Sequence, residues 1–324
     1  MSARIIVLLA VVLAIVGPQA SAQNYPNRPV RFIVPYPPGG GTDSVARLLT
    51  PKLVEFLGEQ VVIDNRGGAN AIIGSDLAAK AAPDGYTMLF CLQANLAVNP
   101  VVYENLPYNP ARDFAEVIHL DYVTMLLTVT PSLPVKTIDD LIALAKKKPG
   151  ELNFSSSGHG SAAHLAGEMI KAAAKIDMVH VPFKGGGPAV TAVVAGQVQF
   201  SVGPMISEIG HVKAGRLRAV AVAGTKRTPA LPDVPTIGET LAGFDASVWH
   251  GVVVPKGVPA AIIRKLNAGF NAALNDSQVR ERMRDSGVEP AGGTPEAFAA
   301  LIRSTRTTYE KLLKQVGMAG SSKL

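Results

Sequence analysis

Cysteine is almost absent from this sequence. Cys91 stands alone in 324 residues, so no internal disulfide can brace the fold. Its flank, Tyr86 to Phe90, reads as a buried strand. That makes the thiol a small core residue, with no histidine partner that the sequence can select for it. Charge is also scarce, at 17% of residues against 48% apolar. This balance excludes a disordered chain and leaves ample material for a core. The 31 basic and 25 acidic residues give a net charge of +6. The basic residues are scattered, which suits an anionic ligand and carries no nucleic-acid signature. No repeat period organises the 31 glycines and 24 prolines, so collagen-like and solenoid readings fail. No stretch reaches the roughly 18 uninterrupted apolar residues of a membrane span.

Catalytic and nucleotide motifs are missing too. Gly39-Gly40-Gly41-Thr42-Asp43-Ser44 lacks the glycine-lysine-serine ending of a P-loop and the last glycine of a dinucleotide fingerprint. Asp64 is the one acidic residue near the position such a fingerprint requires, and it is not convincing there. Ser157-Gly158-His159-Gly160-Ser161 places serine beside histidine but misses the Gly-x-Ser-x-Gly elbow on both sides. An exported hydrolase is therefore the alternative reading rather than the first, and no enzyme activity is expected. The six histidines show no close ligand spacing, so neither a metal nor a cofactor is expected.

What is present begins with an export signal. Arg4 precedes an apolar run from Ile5 to Val16, Gly17-Pro18 breaks it, and Ala20-Ser21-Ala22 supplies a cleavage site. A membrane anchor is the competing reading, but this run is too short for a bilayer core of roughly 30 Å. Residues 1–22 are expected to be removed, leaving a soluble exported chain of 302 residues with net charge +5.

Val30 to Val34, Val61 to Ile63 and Tyr86 to Cys91 read as strands apolar on both faces, separated by helical stripes. That order predicts right-handed parallel units. The same pattern resumes after residue 125, with Thr42 or Asp43 capping the first helix and Thr294 the last. The fold class is α/β in two domains. Residues 23–124 with 244–324 form the first and 125–243 the second, and two chain crossings between them make a hinge beside a cleft. Three loops run from a strand end to a helix start: Pro37 to Asp43, Ser155 to Ser161, and Lys184 to Pro188. Helix N-termini, glycines and hydroxyls there describe an anion site built from N–H groups, fit for carboxylate or phosphate.

The residues also carry a resemblance. Pro29-Val30-Arg31-Phe32-Ile33-Val34-Pro35-Tyr36-Pro37-Pro38-Gly39-Gly40-Gly41-Thr42-Asp43 resembles the opening of the Bug, or TctC-like, family of extracytoplasmic solute receptors of tripartite tricarboxylate transporters. The likeness continues through Ala81-Ala82-Pro83-Asp84-Gly85-Tyr86-Thr87, His180-Val181-Pro182-Phe183-Lys184-Gly185 and Ala230-Leu231-Pro232-Asp233-Val234-Pro235-Thr236, and covers nearly all of the mature chain. It implies a periplasmic, two-domain, type II-like binding protein with a ligand cleft between the domains. Such a receptor takes a mono-, di- or tricarboxylate, aromatic ones included, and hands it to membrane permease subunits. A receptor that feeds a signalling partner is the other role the resemblance allows. A monomer is expected.

Carried over residue by residue, the ligand-binding set starts with Tyr36, Pro38, Gly39, Gly40, Gly41, Thr42 and Asp43, then Leu92, Gln93 and Ala94. The opposing domain offers Ser155, Ser156, Ser157, His159, Ser161 and His164, then Phe183, Lys184 and Gly185, and finally Gly203, Pro204 and Met205. The sequence departs from the family at Asn65-Arg66-Gly67-Gly68-Ala69-Asn70, where asparagine-arginine-proline-glycine-alanine-glycine is common. Cys91-Leu92-Gln93-Ala94 likewise replaces small residues. Tyr36, Leu92, Phe183 and Met205 are expected to wall the pocket, and few loop cations lie nearby. Both points favour an acid with one or two carboxylates and an apolar or aromatic body over citrate.

Overall fold

The computed structural model describes residues 25–315 and 319–320. The expected signal segment lies outside the described residues. Two sheets organise the chain, one in each lobe. The first contains β1 (Val30–Val34), β2 (Val61–Asn65), β3 (Thr87–Leu92), β4 (Phe114–Val123), β10 (Val248–Pro255) and β11 (Val288–Pro290), in the order β11-β4-β10-β3-β1-β2. The second holds β5 (Met125–Val129), β6 (Asn153–Ser156), β7 (Val179–Pro182), β8 (Phe200–Pro204) and β9 (Arg218–Val222), in the order β7-β6-β8-β5-β9.

β1 pairs in parallel with both β2 and β3, as strand–helix–strand order requires. The helices on this part are α1 (Gly41–Leu57) and α2 (Ile72–Ala79). β10 then inserts antiparallel between β3 and β4. β6 is parallel to β7 and β8, whereas β5 runs antiparallel to β8 and β9. Only Thr124 separates β4 of the first sheet from β5 of the second, and the chain returns between β9 and β10.

β4 and β11 carry no clear period in the sequence. β4 places Glu116, His119 and Asp121 in a strand flanked on both sides. Register shifts against β10 at His250/Gly251 and Val252/Val253 break its alternation further. Between β3 and β4 lie a π-helical turn (Ala94–Val98), α3 (Asn99–Val102) and α4 (Pro110–Asp113). The second lobe carries α5 (Ile138–Lys147), α6 (Ala162–Ala174), α7 (Gly186–Val194) and α8 (Met205–Lys213). α9 (Ala260–Asn275), α10 (Ser277–Asp285) and α11 (Pro295–Gln315) return to the first lobe.

Each sheet buries an aromatic centre. Phe32 meets Phe90 and Phe270 at 5.9 and 5.8 Å in one lobe, and Phe154 meets Phe200 at 5.6 Å in the other. Cys91 is fully buried in β3, and burial pushes its thiol well above the ordinary range.

Candidate ligand cleft

One cavity opens where the carboxyl ends of β1, β3, β6 and β8 face one another, which is where open α/β sheets take ligands. It leaves about 70 Å³ of room for water centres. A single water needs roughly 10–15 Å³ by that measure, so the space suits a small molecule.

Four helix N-termini reach its wall. α1 contributes Gly41 and Thr42, α6 contributes Ala162 and Ala163, α7 contributes Gly186 and Ala189, and α8 contributes Ser207 in its first turn, with its N-cap Pro204 before it. The N-cap residues of α1, α7 and α8 are Gly40, Gly185 and Pro204, and none supplies a side-chain cap. Gly41 to Asp43 of α1 and Gly186 and Gly187 of α7 thus leave first-turn N–H groups and positive dipole ends for a ligand, while at α8 the Met205 N–H is already taken by Thr124 O at 2.9 Å and only the groups after it remain. No lysine or arginine is among the described residues on the wall. Hydroxyls replace them: Ser155, Ser156, Ser157, Ser201 and Ser207.

The wall brings together twelve of the residues expected from sequence: Tyr36, Gly40, Gly41, Thr42, Leu92, Gln93, Ala94, Ser155, Ser156, Ser157, Gly203 and Pro204. Tyr36 presents its ring, because its hydroxyl donates to Asn70 Oδ1 at 2.8 Å. Asn70 in turn donates to Asn99 Oδ1 at 2.9 Å, and Asn99 donates back to the Asn70 carbonyl at 2.8 Å. Leu92 is pinned by its N–H donating to Asn95 Oδ1 at 2.7 Å, and Gln93 donates to the Tyr309 hydroxyl.

The remaining expected residues lie off the wall. Asp43 locks its own loop, accepting from Gly39 N at 2.9 Å, Arg47 Nε at 2.8 Å and Asn65 Nδ2 at 3.0 Å. Burial works to raise its carboxyl, but these hydrogen bonds outweigh burial and hold it low. Neither Asp43 nor Thr42 caps α1, which starts at Gly41. Pro38, Gly39 and Phe183 border a separate shallow groove, and Lys184 is exposed. Gly185 and Ser161 are N-caps, Gly185 against Pro37 and Ser161 accepting from His164 N at 3.3 Å. Met205 is core, packed with Leu126, Ile209 and Val222. Of the four proposed wall residues, Tyr36 and Leu92 hold that place, while Phe183 and Met205 do not. Arg66 turns away and pairs with Asp64 at 2.8 Å.

His159 and His164 stand behind the serine loop with His180, which sequence spacing does not connect to them. Ligand-capable atoms of the three lie within 4.8 Å of one another. They are the residues that could share an ion, but the His164 and His180 rings stack at 3.8 Å and 18°, so their in-plane lone pairs run side by side. His164 Nδ1 accepts from Gly160 N at 3.0 Å, and His180 Nε2 is 2.6 Å from Ser156 Oγ. Burial first, then neighbouring positive charge, lowers His164 to about 3 and His180 to about 4. Both are neutral props for the serine loop.

Sequence reasoning missed Ala162, Ala163, Gly186, Ala189 and Val190, although the helix starts were marked. It also missed Met125, Ser201, Ser207, Glu208, Val248 and His250. Glu208 and His250 are buried and titratable, and each sits in a pattern that reads as plain helix or strand.

Residues 45–318 match the family described as tripartite tricarboxylate transporter family receptor. The protein BugT of Bordetella pertussis is 37% identical over 97% of this chain and 98% of its own. The structure of Rpa4515 from R. palustris with adipate superposes with a TM-score of 0.89 at 35% identity, covering 93% of this chain and all of that one. MatC from Rhodopseudomonas palustris, with bound malate, gives 0.85 at 32%, covering 89% and 100%. A cation-free cleft between two α/β lobes, ringed by helix N-termini, is thus found in a chain that belongs to the tripartite tricarboxylate transporter receptor family, the Bug or TctC-like solute-binding proteins.

Proposed function

We propose that this chain is exported to the periplasm and there captures a small organic acid for membrane permease subunits of a tripartite tricarboxylate-type transporter. Residues 23–124 with 244–324 act as one domain and 125–243 as the other, closing about the acid as a monomer. No helix among the described residues is long and apolar enough to cross a membrane.

The observation that carries this reading is the ring of four helix N-termini around a cavity without a cationic side chain. N–H groups and hydroxyls can hold a carboxylate with no matched counter-charge. The acid's carboxylate sits against Gly41 and Thr42 and against the Ser155–Ser157 loop. Its body lies along Leu92, Ala94, Met125, Val190 and Val248, a largely aliphatic wall on which Tyr36 and His250 supply the rings. This favours an unbranched aliphatic acid at least as much as an aromatic one. The adipate and malate of the two solved relatives fall in the same class of ligand.

A thermal-shift screen of the protein lacking residues 1–22 against carboxylic acids tests the reading. A ligand at a hundred times its Kd stabilises the native state by about 2.7 kcal/mol, which a rise in Tm reports. No rise with any mono-, di- or tricarboxylate would refute it.

A further inference from the structure

One carboxyl group lies on the wall of this anion-binding cleft. Glu208 is in the first turn of α8 and is fully buried. Ser201 Oγ donates to its Oε1 at 2.7 Å, and the Thr128 hydroxyl stands 3.1 Å behind Ser201. Oε2 has no hydrogen-bond partner, although it is buried and its residue faces the cavity. Ser207 Oγ, on the residue just before it, and His250 Nδ1, on the same wall, also lack one. His250 Nδ1 lies 2.9 Å from Asp121 Oδ1, but out of hydrogen-bond alignment.

Among the described residues no lysine or arginine is placed to neutralise Glu208. β5, β8 and α7, which pack against α8, carry no titratable side chain. α1 brings Asp43 and Arg47, which are paired with each other at 2.8 Å. On α8 itself, His211 and Lys213 occupy the last turn. An ionised, unpaired carboxylate in this setting is costly, and it would repel the ligand. A protonated carboxyl costs little and offers a donor where an acceptor oxygen can arrive.

We propose that Glu208 enters the complex as a neutral carboxylic acid, donating from Oε2 to an oxygen at the distal end of the bound acid. The receptor thereby selects dicarboxylates and hydroxy or keto acids over acids that carry an ammonium group there. This deepens the carboxylate reading and rests on it. Burial drives the group in the same direction, raising it to about 8, with the Ser201 and Thr128 hydroxyls opposing.

Two measurements decide the matter. Carbon-13 NMR of protein labelled at its glutamate carboxyls, wild type against Glu208→Gln, identifies the Glu208 resonance by its loss. In the empty protein it should remain protonated at pH 7 and ionise near pH 8. A resonance already ionised at about pH 6 overturns the proposal. Calorimetry with adipate, malate and benzoate at about pH 6.5 and about pH 9 then reads the complex. Adipate or malate, each with an oxygen at its distal end, should lose about tenfold in affinity at the higher pH, where only about a tenth of the donor form remains, and benzoate, which has no such oxygen, should lose less. Glu208→Gln keeps a donor of similar shape, so its affinity should stay within a few-fold of wild type and lose the pH dependence. Equal wild-type affinities at both pH values overturn the proposal, as does a drop that survives in Glu208→Gln. Tighter binding at about pH 9, abolished in Glu208→Gln, also overturns it and assigns an ionised Glu208 to a cationic ligand. If none of the acids binds, the carboxylate reading fails, and the NMR titration still decides the state of Glu208.

Discussion

Gly41, the first residue of α1, meets Ile206 of α8 across the cleft so closely that a β-carbon on the glycine would stand 3.0 Å from Ile206 Cγ2. Ser207 Oγ and Pro204 Cβ would follow at 3.3 and 3.4 Å. The lobes touch here through a backbone without a side chain. Gly41→Ala should therefore hold the closed form slightly open. We expect a loss of about tenfold in ligand affinity, about 1.4 kcal/mol, and a larger radius of gyration by small-angle scattering at ligand saturation. Unchanged affinity and unchanged scattering would show that closure does not depend on this contact.

Gly40 gives the contrast. It is extended, at φ −83° and ψ 173°, and a β-carbon there would meet only Pro37 O, at 3.7 Å. The left-handed residue of the loop is Gly39, at φ +82°. Gly39→Ala should cost about 1 kcal/mol or more of stability in denaturant unfolding, and Gly40→Ala much less. The reverse order would mean that the loop is arranged differently.

Asn70 should be a stability determinant as well as a support for Tyr36. Ala69, Asn70 and Ala71 all have positive φ, at 47°, 49° and 70°. The Tyr36–Asn70–Asn99 hydrogen bonds hold this segment. Asn70→Ala removes the two that use its side chain and leaves the Tyr36 hydroxyl and Asn99 Oδ1 unmet, a loss of about 2–4 kcal/mol, while Asn99 keeps its bond to the backbone carbonyl of residue 70. Urea unfolding measures it, and calorimetry should show weaker ligand binding, since the Tyr36 ring loses its anchor.

Stability should peak between mildly acidic and neutral pH. The folded state lowers His164 and His180 to about 3 and 4, so the unfolded chain binds more protons and stability falls as pH drops below the ordinary histidine range. Glu208 acts oppositely. Its folded value is raised to about 8, so its contribution is complete below about pH 4.5 and fades as pH rises towards 8. Chemical denaturation across pH should show Glu208→Gln flattening the alkaline limb and His180→Gln the acid limb. A variant that leaves its limb unchanged refutes the assignment for that residue.

Cys91 should resist thiol reagents in the native protein and react on global unfolding. It is fully buried, and its thiol is held protonated. Native labelling faster than unfolding would indicate local opening of β3.

Much of this architecture is legible from residues alone. Val30 to Val34 and the glycine run after it announce a strand, an anion loop and a helix, because apolar runs and helix starts are local signals. β4 is not legible, since its polar residues are buried beside groups far along the chain, as with Asp121 beside His250. The half of the wall nearest the loop glycines could be named in advance. Glu208 and His250 could not, because a titratable residue in an ordinary helix or strand shows its burial only after the sheets are assembled. The grouping of the three histidines escaped for a related reason, although His159 and His164 were each expected at the site. His180 joins His159 and His164 only through the parallel pairing of β6 with β7.

Thr124 is the single residue between the two sheets, and its backbone is held from both sides. Its N–H donates to Gly287 O at 2.8 Å in one lobe, and its carbonyl accepts from Met205 N at 2.9 Å, the first residue of α8, in the other. The fulcrum is therefore bonded directly to the helix whose first turn forms part of the binding surface. In a lever with its load beside the pivot, a given rotation moves the jaws near the ligand only slightly while the far rims of the lobes sweep widely. In the proposed closing motion, small differences in ligand length are thus magnified into differences at the outer surface, the face that the proposed permease subunits would read.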